Sequence, residues 1–317
     1  MRMSTAARSV LVALGVMLCL WPLSAHSKVW FVRNDGTGDA PTIQAAIDSS
    51  ASGDTITLAK GIFAVQSMIQ CGMKNNIVIN SEVGRDSTSL SLCEGSAFMS
   101  VALCSNLSID GISFRNGQGS ALSIDLSSQI TVSNCGFFNN GHYYGNYAIA
   151  FDRCDGIDVH NNNISGNRAG INYYELNSNI LSYNNTYLAN TGIAIRLNDV
   201  TNCSITHSII SGSSYGILGF GINLSIGCND VFNNGENYAI LDFPDPTGTA
   251  GNISVDPQFC SIDPVAYNNY RLQSDSPCAP GNHPNGYACG LIGCEPVGCA
   301  TTGTEKTDWS KVKQLFK

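Results

Sequence analysis

From residue 107 onward the chain repeats itself, and that periodicity limits its fold more than any other feature. Six segments share one template: an apolar residue, a second two positions later, a small or polar residue at +4, an apolar residue at +7, and Asn, Gly or Ser at +10. They begin at Leu107 (Ile109, Gly111, Phe114, Gly117), Ile130 (Val132, Asn134, Phe137, Asn140) and Ile157 (Val159, Asn161, Ile164, Asn167). A looser copy, with Ser182 at +2, begins at Ile180 (Asn184, Tyr187, Asn190), and two more begin at Cys203 (Ile205, His207, Ile210, Ser213) and Leu224 (Ile226, Cys228, Val231, Asn234). The starts lie 23, 27, 23, 23 and 21 residues apart, and Ile77 with Ile79 marks an earlier copy. A second element, a small residue followed by an apolar one, recurs as Ala121-Leu122, Ala148-Ile149, Gly170-Ile171, Gly192-Ile193, Gly216-Ile217 and Ala239-Ile240.

Within each segment the apolar residues alternate with period two, the signature of strands and not of helices. Each segment is too short to make a sheet alone. Copies stacked on one another can pair in parallel and bury a continuous apolar column. An antiparallel sandwich would need hairpin turns every 8–12 residues. The reading is therefore all-β, a parallel β-helix with coils about 4.8 Å apart. The Asn at +4 (Asn134, Asn161, Asn184) are expected to stack in a turn as an amide ladder, with His207 a hydrogen-bonded turn residue at the same position. His160 is expected on the solvated surface, too far from Asp110 to form a dyad.

A solenoid needs covered ends. Residues 41–47 read as an amphipathic capping helix with Ile43 and Ile47 on one face, stopped by Gly53. The Cys-, Pro- and Gly-rich stretch 256–299 would close the other end, and a Thr/Gly linker leads to a basic amphipathic tail, together 300–317. The expected division is residues 1–27 signal peptide, 28–255 β-helix with its N-terminal cap, 256–299 C-terminal cap, and 300–317 tail. The signal-peptide reading rests on Arg2 and Arg8, the apolar run Val10 to Leu23, and Ala25-His26-Ser27 before cleavage. It places the protein outside the cytoplasm, secreted, periplasmic or on the cell surface.

Two of the 16 basic residues and no acid fall in that leader, so residues 28–317 carry 24 acids against 14 Lys and Arg. Such a surface repels phosphate backbones, which excludes nucleic acid as a partner. No later apolar run approaches the length of a membrane span. Discounting Cys19, the 13 cysteines leave an even number, as disulfides in an oxidising compartment require. Pairing does not follow from sequence; Cys260–Cys278 is the first expectation, with Cys289, Cys294 and Cys299 pairing locally or upward. The spacing of those three, with no second ligand pair, argues against zinc.

Thr42-Ile43-Gln44-Ala45-Ala46-Ile47, Gly53-Asp54-Thr55-Ile56-Thr57-Leu58 and Gly61-Ile62-Phe63 resemble the opening of pectin-lyase-like right-handed parallel β-helix proteins. Val255-Asp256-Pro257-Gln258-Phe259, Tyr270-Arg271-Leu272 and Ser276-Pro277-Cys278 resemble the terminal segment of secreted bacterial members. The resemblance implies a right-handed, single-stranded β-helix over nearly the whole mature chain. It implies no single activity, because the fold hosts lyases, hydrolases, epimerases and adhesins. Neither the paired Asp-Asp with Gly-His-Gly of polygalacturonase-like hydrolases nor the Arg-x-Pro-x-x-Arg run of pectate-lyase-like enzymes occurs.

One constellation emerges from strand geometry. Counting three residues on from the buried position of each second element gives Asp125, Asp152, Tyr174, Arg196, Phe220 and Phe243, expected as one outward column. Asp125 and Asp152 would stand one strand spacing apart, suited to general acid and base work on a glycoside or to holding Ca²⁺. Arg196 would meet a uronate, and Tyr174, Phe220 and Phe243 would stack on sugar faces. Tyr143 and Tyr144, in the loop of the 27-residue copy, would overhang the column. These residues point to a monomeric protein that binds, and in an enzyme would cleave, a polysaccharide or cell-surface glycan. A structural or adhesive surface protein without catalysis is the alternative.

Overall fold

The computed structural model describes residues 27–92, 97–143, 145–261 and 270–299. The proposed signal peptide up to residue 26, Tyr144 and the 300–317 tail lie outside the described residues.

The repeat winds into a single-stranded right-handed parallel β-helix with three faces. The first face stacks Ile69–Gly72, Met99–Ala102, Leu122–Asp125, Ile149–Asp152 and Ile171–Tyr173 onto the opening residues of Ile193–Thr206 and Tyr215–Gly227. The second stacks Val29–Val32, Thr55–Leu58, Asn75–Ser81, Ser105–Asp110, Ser128–Ser133, Asp155–His160 and Ser178–Tyr183 onto the closing residues of the same two long strands. The third is a separate eight-stranded sheet from Gly61–Val65 to Asp230–Phe232. Every pairing between coils is parallel, with template positions in register: Leu107 opposite Ile130, Ile130 opposite Ile157, Ile157 opposite Ile180.

The inward residues of all three faces form one apolar column in which like residues stack. Phe114 lies flat on Phe137 with ring centroids 5.0 Å apart, and Phe151 lies on Tyr173 at 5.4 Å. Such stacking stabilises neighbouring strands beyond the area they bury.

At each corner one residue takes a left-handed conformation and the next turns inward. The +4 residues are the left-handed ones: Asn134, Asn161, Asn184 and His207 have φ between 51° and 56°. This corrects the expected ladder. Asn is favoured at +4 because it tolerates positive φ, while the buried ladder belongs to the following residue. Cys135 N donates to Asn162 Oδ1 (2.9 Å), Asn162 N to Asn185 Oδ1 (3.0 Å), Ser208 N to Asn229 Oδ1 (3.0 Å) and Asn229 N to Asn252 Oδ1 (3.2 Å). A second buried ladder joins Asn140, Asn167 and Asn190, the +10 residues, at the next corner. These amides satisfy backbone groups that the bends would otherwise leave orphaned inside the core.

The N-terminal helix α1, Ile43–Ser49, is capped by Thr42, whose Oγ accepts from Ala45 N at 3.1 Å, and it buries Ile43, Ala46 and Ile47 against the first coils. It ends at Ser49 with Ser50 as its cap, before Gly53.

The Cys-rich segment does more than close the last coil. Phe259, Tyr270, Leu272, Cys278 and Ile292 pack on the outward residues Phe138, Leu188 and Ile209 of the third face. Glu295 forms an ion pair with Arg85, far up the solenoid. The expected Cys260–Cys278 bridge is not formed: Cys260 pairs with Cys299, Cys289 pairs upward with Cys228, and Cys278 is a buried free thiol. Cys278 instead sits against the third face, where its sulfur donates to Asp230 Oδ2 (3.2 Å).

Candidate functional site

The C-terminal segment covers part of the third face, so the first and second faces offer the open outer surfaces. On the first face the outward residues fall into two columns. One runs through Gly72, Ala102, Asp125 and Asp152, each opposite the next; the other runs through Gln70, Ser100, Ser123, Ala150, Asn172, Arg196, Leu218 and Ala239.

The two carboxylates that the sequence places together are indeed neighbours, Asp125 directly opposite Asp152. Their environments differ. Arg153 Nη2 lies 2.6 Å from Asp152 Oδ2, so one charge is compensated. Partial burial, with the Asp152 charge second, pushes the Asp125 carboxyl above its ordinary range, and Arg153 offsets this only in part. A carboxyl biased toward its protonated form beside a paired carboxylate is the division of labour that acid–base chemistry uses.

Beyond Asp152 the expected column breaks. Phe151 pairs with Tyr173, but Arg153 N donates to Glu175 O, as Leu126 N donates to Asp152 O one coil earlier. Tyr174 is thus an extra residue in that coil, and Glu175 occupies the place after Asp152. Tyr174 remains exposed.

Arg196 does not lie on the carboxylate column. Ile195, not Ile193, is the register partner of Ile171, so Arg196 stands opposite Asn172 in the adjacent column. Its Nη1 donates to Tyr147 Oη at 3.1 Å across two coils. Asn198 takes the expected place, opposite Phe220, which is exposed. Phe243 is corrected as well: Ile240 pairs with Gly219, so Phe243 lies beyond the strand and packs partly buried against the core. Tyr143 is exposed in the long loop, and the buried Tyr147 ties that loop to the face through Arg196.

Arg153 is the residue that sequence reading missed. Strand alternation would turn it inward, and only its φ of 52° carries its guanidinium out beside Asp152. The adjacent Asp152-Arg153 pair at a strand end was the available signal.

On the second face His160 is not simply solvated. Its ring stacks on Tyr183 with centroids 4.8 Å apart, and Nδ1 lies 2.8 Å from Asp158 Oδ1. Asp110 is engaged by Ser133 and Asn134, each at 2.7 Å. Among the described residues no three His, Cys, Asp or Glu side chains converge as a metal cage. No helix there is long and apolar enough to cross a membrane.

Several solved structures are similar in fold. They include the pectate lyase Pel9A (13% identity, TM-score 0.40, 86% of this chain and 97% of that one). PfbA, a surface adhesin of Streptococcus pneumoniae, is another (10% identity, TM-score 0.32, 67% and 71%). ORF18 of Geobacillus virus E2 aligns over 73% of this chain at 13% identity and TM-score 0.40, and the chain spans 55% of its length. No curated protein matches the sequence. Residues 47–242, more than half of the chain, match one family, and the chain belongs to it: the family described as periplasmic copper-binding protein (NosD).

Proposed function

We propose that this is an extracytoplasmic β-helix protein that binds polysaccharide along its first face. The observation that carries this reading is the Asp125–Asp152 pair, two neighbouring carboxyls of which one is paired with Arg153 and the other is raised. Around it Tyr174 and Phe220 offer exposed rings for sugar faces, Tyr143 stands exposed in the long loop, and Arg196 lies one column away for a uronate. The leader at residues 1–27 and the family's periplasmic description support the location. The core solenoid runs to about residue 255, with residues 256–299 as its C-terminal cover. Two carboxylates supply at most four of the six to eight oxygens Ca²⁺ takes, so a bound Ca²⁺ would draw the rest from glycan and water.

The exported protein is screened against soluble polysaccharides with and without Ca²⁺, following binding, unsaturated products and reducing ends in the same samples. Binding is expected, weakened at least tenfold by Tyr174→Ala. If there is turnover, Asp125→Ala and Asp152→Ala abolish it. Silence in all three readouts, with attachment of the protein to cells or envelope, refutes the glycan reading and leaves the structural or adhesive one.

A further inference from the structure

The corner between the first and second faces holds a feature that the glycan reading does not use. Cys71 ends the inward side of its strand, and Cys104 is the inward corner residue of the next coil; both are buried, with 1% and 2% of their surfaces exposed. Their sulfurs stand 3.9 Å apart. A disulfide would need them at about 2.05 Å. Metal–thiolate bonds of about 2.3 Å put two sulfurs on one ion at most about 4.6 Å apart, so the observed separation lies within reach of a shared ion. The donors are two thiols; soft thiolates select monovalent copper, zinc or iron–sulfur clusters, and the last two take four ligands, so a two-sulfur set suits monovalent copper. The family's description names copper, and this pair fits that ion.

We propose that Cys71 and Cys104 form a two-sulfur site for Cu(I). Binding breaks two S–H bonds and forms two Cu–S bonds. Two protons leave to water, and the copper stays monovalent throughout. The resulting site carries one net negative charge. The Lys74 ammonium, which donates to Ser50 O at 2.7 Å, is a positive neighbour of both thiols and offsets that charge. Gly72 and Ala102, the outward residues beside the pair, carry no side chain or a single carbon, which leaves the cover over the sulfurs thin. Cys104 donates to the carbonyls of Cys71 (3.3 Å) and Ala102 (3.5 Å), much as Cys154 does to those of Ile124 and Asp152 and Cys135 to that of Ile109, and it differs from them in the second sulfur at its side.

The site is independent of the carboxylate column, and its test reads metal and not glycan. The reduced, exported protein is titrated with Cu(I) against a coloured Cu(I) chelator. One tightly held equivalent is expected, weakened at least tenfold in Cys71→Ser and in Cys104→Ser and kept in Cys154→Ser. Because a buried substitution can impair folding, wild-type protein is also followed by hydrogen exchange and by X-ray absorption at the copper edge. Cu(I) should protect residues 69–74 and 102–106 and show two sulfur neighbours. Failure of the wild type to hold Cu(I), protection elsewhere, or a Cys71–Cys104 disulfide in the exported protein overturns the proposal.

Discussion

Removing one rung of the buried amide ladder should cost the solenoid a large share of its stability. Asn185 is fully buried; its Nδ2 donates to Val159 O at 2.8 Å, and its Oδ1 accepts from Asn162 N at 3.0 Å and Asn162 Nδ2 at 3.1 Å. In Asn185→Ala, Asn162 Nδ2 keeps Val132 O at 2.8 Å, but Asn162 N–H and Val159 C=O lose these partners in a dry corner. Each buried group left unpaired costs about 1–3 kcal/mol, so the loss should be about 2–6 kcal/mol. Denaturant unfolding followed by far-ultraviolet circular dichroism measures it, with m compared between proteins. The control is Asn106→Gly, which removes an exposed amide bond to Asn76 at a site with φ of 50°. Glycine adopts that conformation freely, so a change within about 1 kcal/mol is expected. Asn185→Asp separates the donor from the acceptor. The carboxylate still accepts from Asn162 but cannot donate to Val159 O. Burial beside that carbonyl raises its folded-state pKa above the unfolded value of about 3.9. The penalty is therefore absent below the unfolded pKa and grows as pH rises toward the folded one. A loss below about 1 kcal/mol for Asn185→Ala, or a penalty for Asn185→Asp that does not shrink on acidification, would refute the ladder argument.

Three further outcomes follow from the geometry. Leu103 is exposed with φ of 56°; a left-handed conformation costs an ordinary residue about 1–2 kcal/mol, so Leu103→Asn should raise the melting temperature. Burial pushes the Asp230 carboxyl up to about 7. That value exceeds the unfolded one, so native stability falls as pH climbs from the unfolded pKa to about 7. In Asp230→Asn this loss should vanish, as urea unfolding at pH 5 and pH 8 would reveal. Cys260→Ser should loosen the C-terminal cover by about 2–4 kcal/mol, the usual worth of a disulfide, seen as earlier proteolysis of the 256–299 region with the coils intact; simultaneous loss of the coils would show that the segment is integral to them.

The coils were legible in the sequence because each strand's inward residues must match those above and below, and that demand writes itself into the chain as a period. Ile130, Ile157 and Ile180 are visible as equivalents for this reason, as are Asp125 and Asp152 on their outward column. Where a coil gains or loses a residue, the counting fails. Tyr174 is such an insertion, and in the next coil the strand equivalent of Gly170-Ile171 is Ala194-Ile195, two residues past the small-apolar pair Gly192-Ile193. Arg196 consequently stands one column over, and Phe243 falls off the face because Ala239-Ile240 is likewise out of step. The +4 and following Asn residues are adjacent and chemically alike, so only backbone dihedrals show which supplies the left-handed bend and which the buried amide.

By itself, then, the sequence determined the architecture: strands, coil length, helical cap and the side of each strand that faces inward. These are local patterns, repeated often enough that a single error does not hide them. The tertiary structure alone decided contacts between residues far apart in the chain that share no periodic mark. Cys228 finds Cys289, Glu295 reaches Arg85, Arg153 turns out beside Asp152, and Cys71 meets Cys104 across one coil. Each depends on where a non-repeating segment packs or on a single corner dihedral, and neither leaves a period to read.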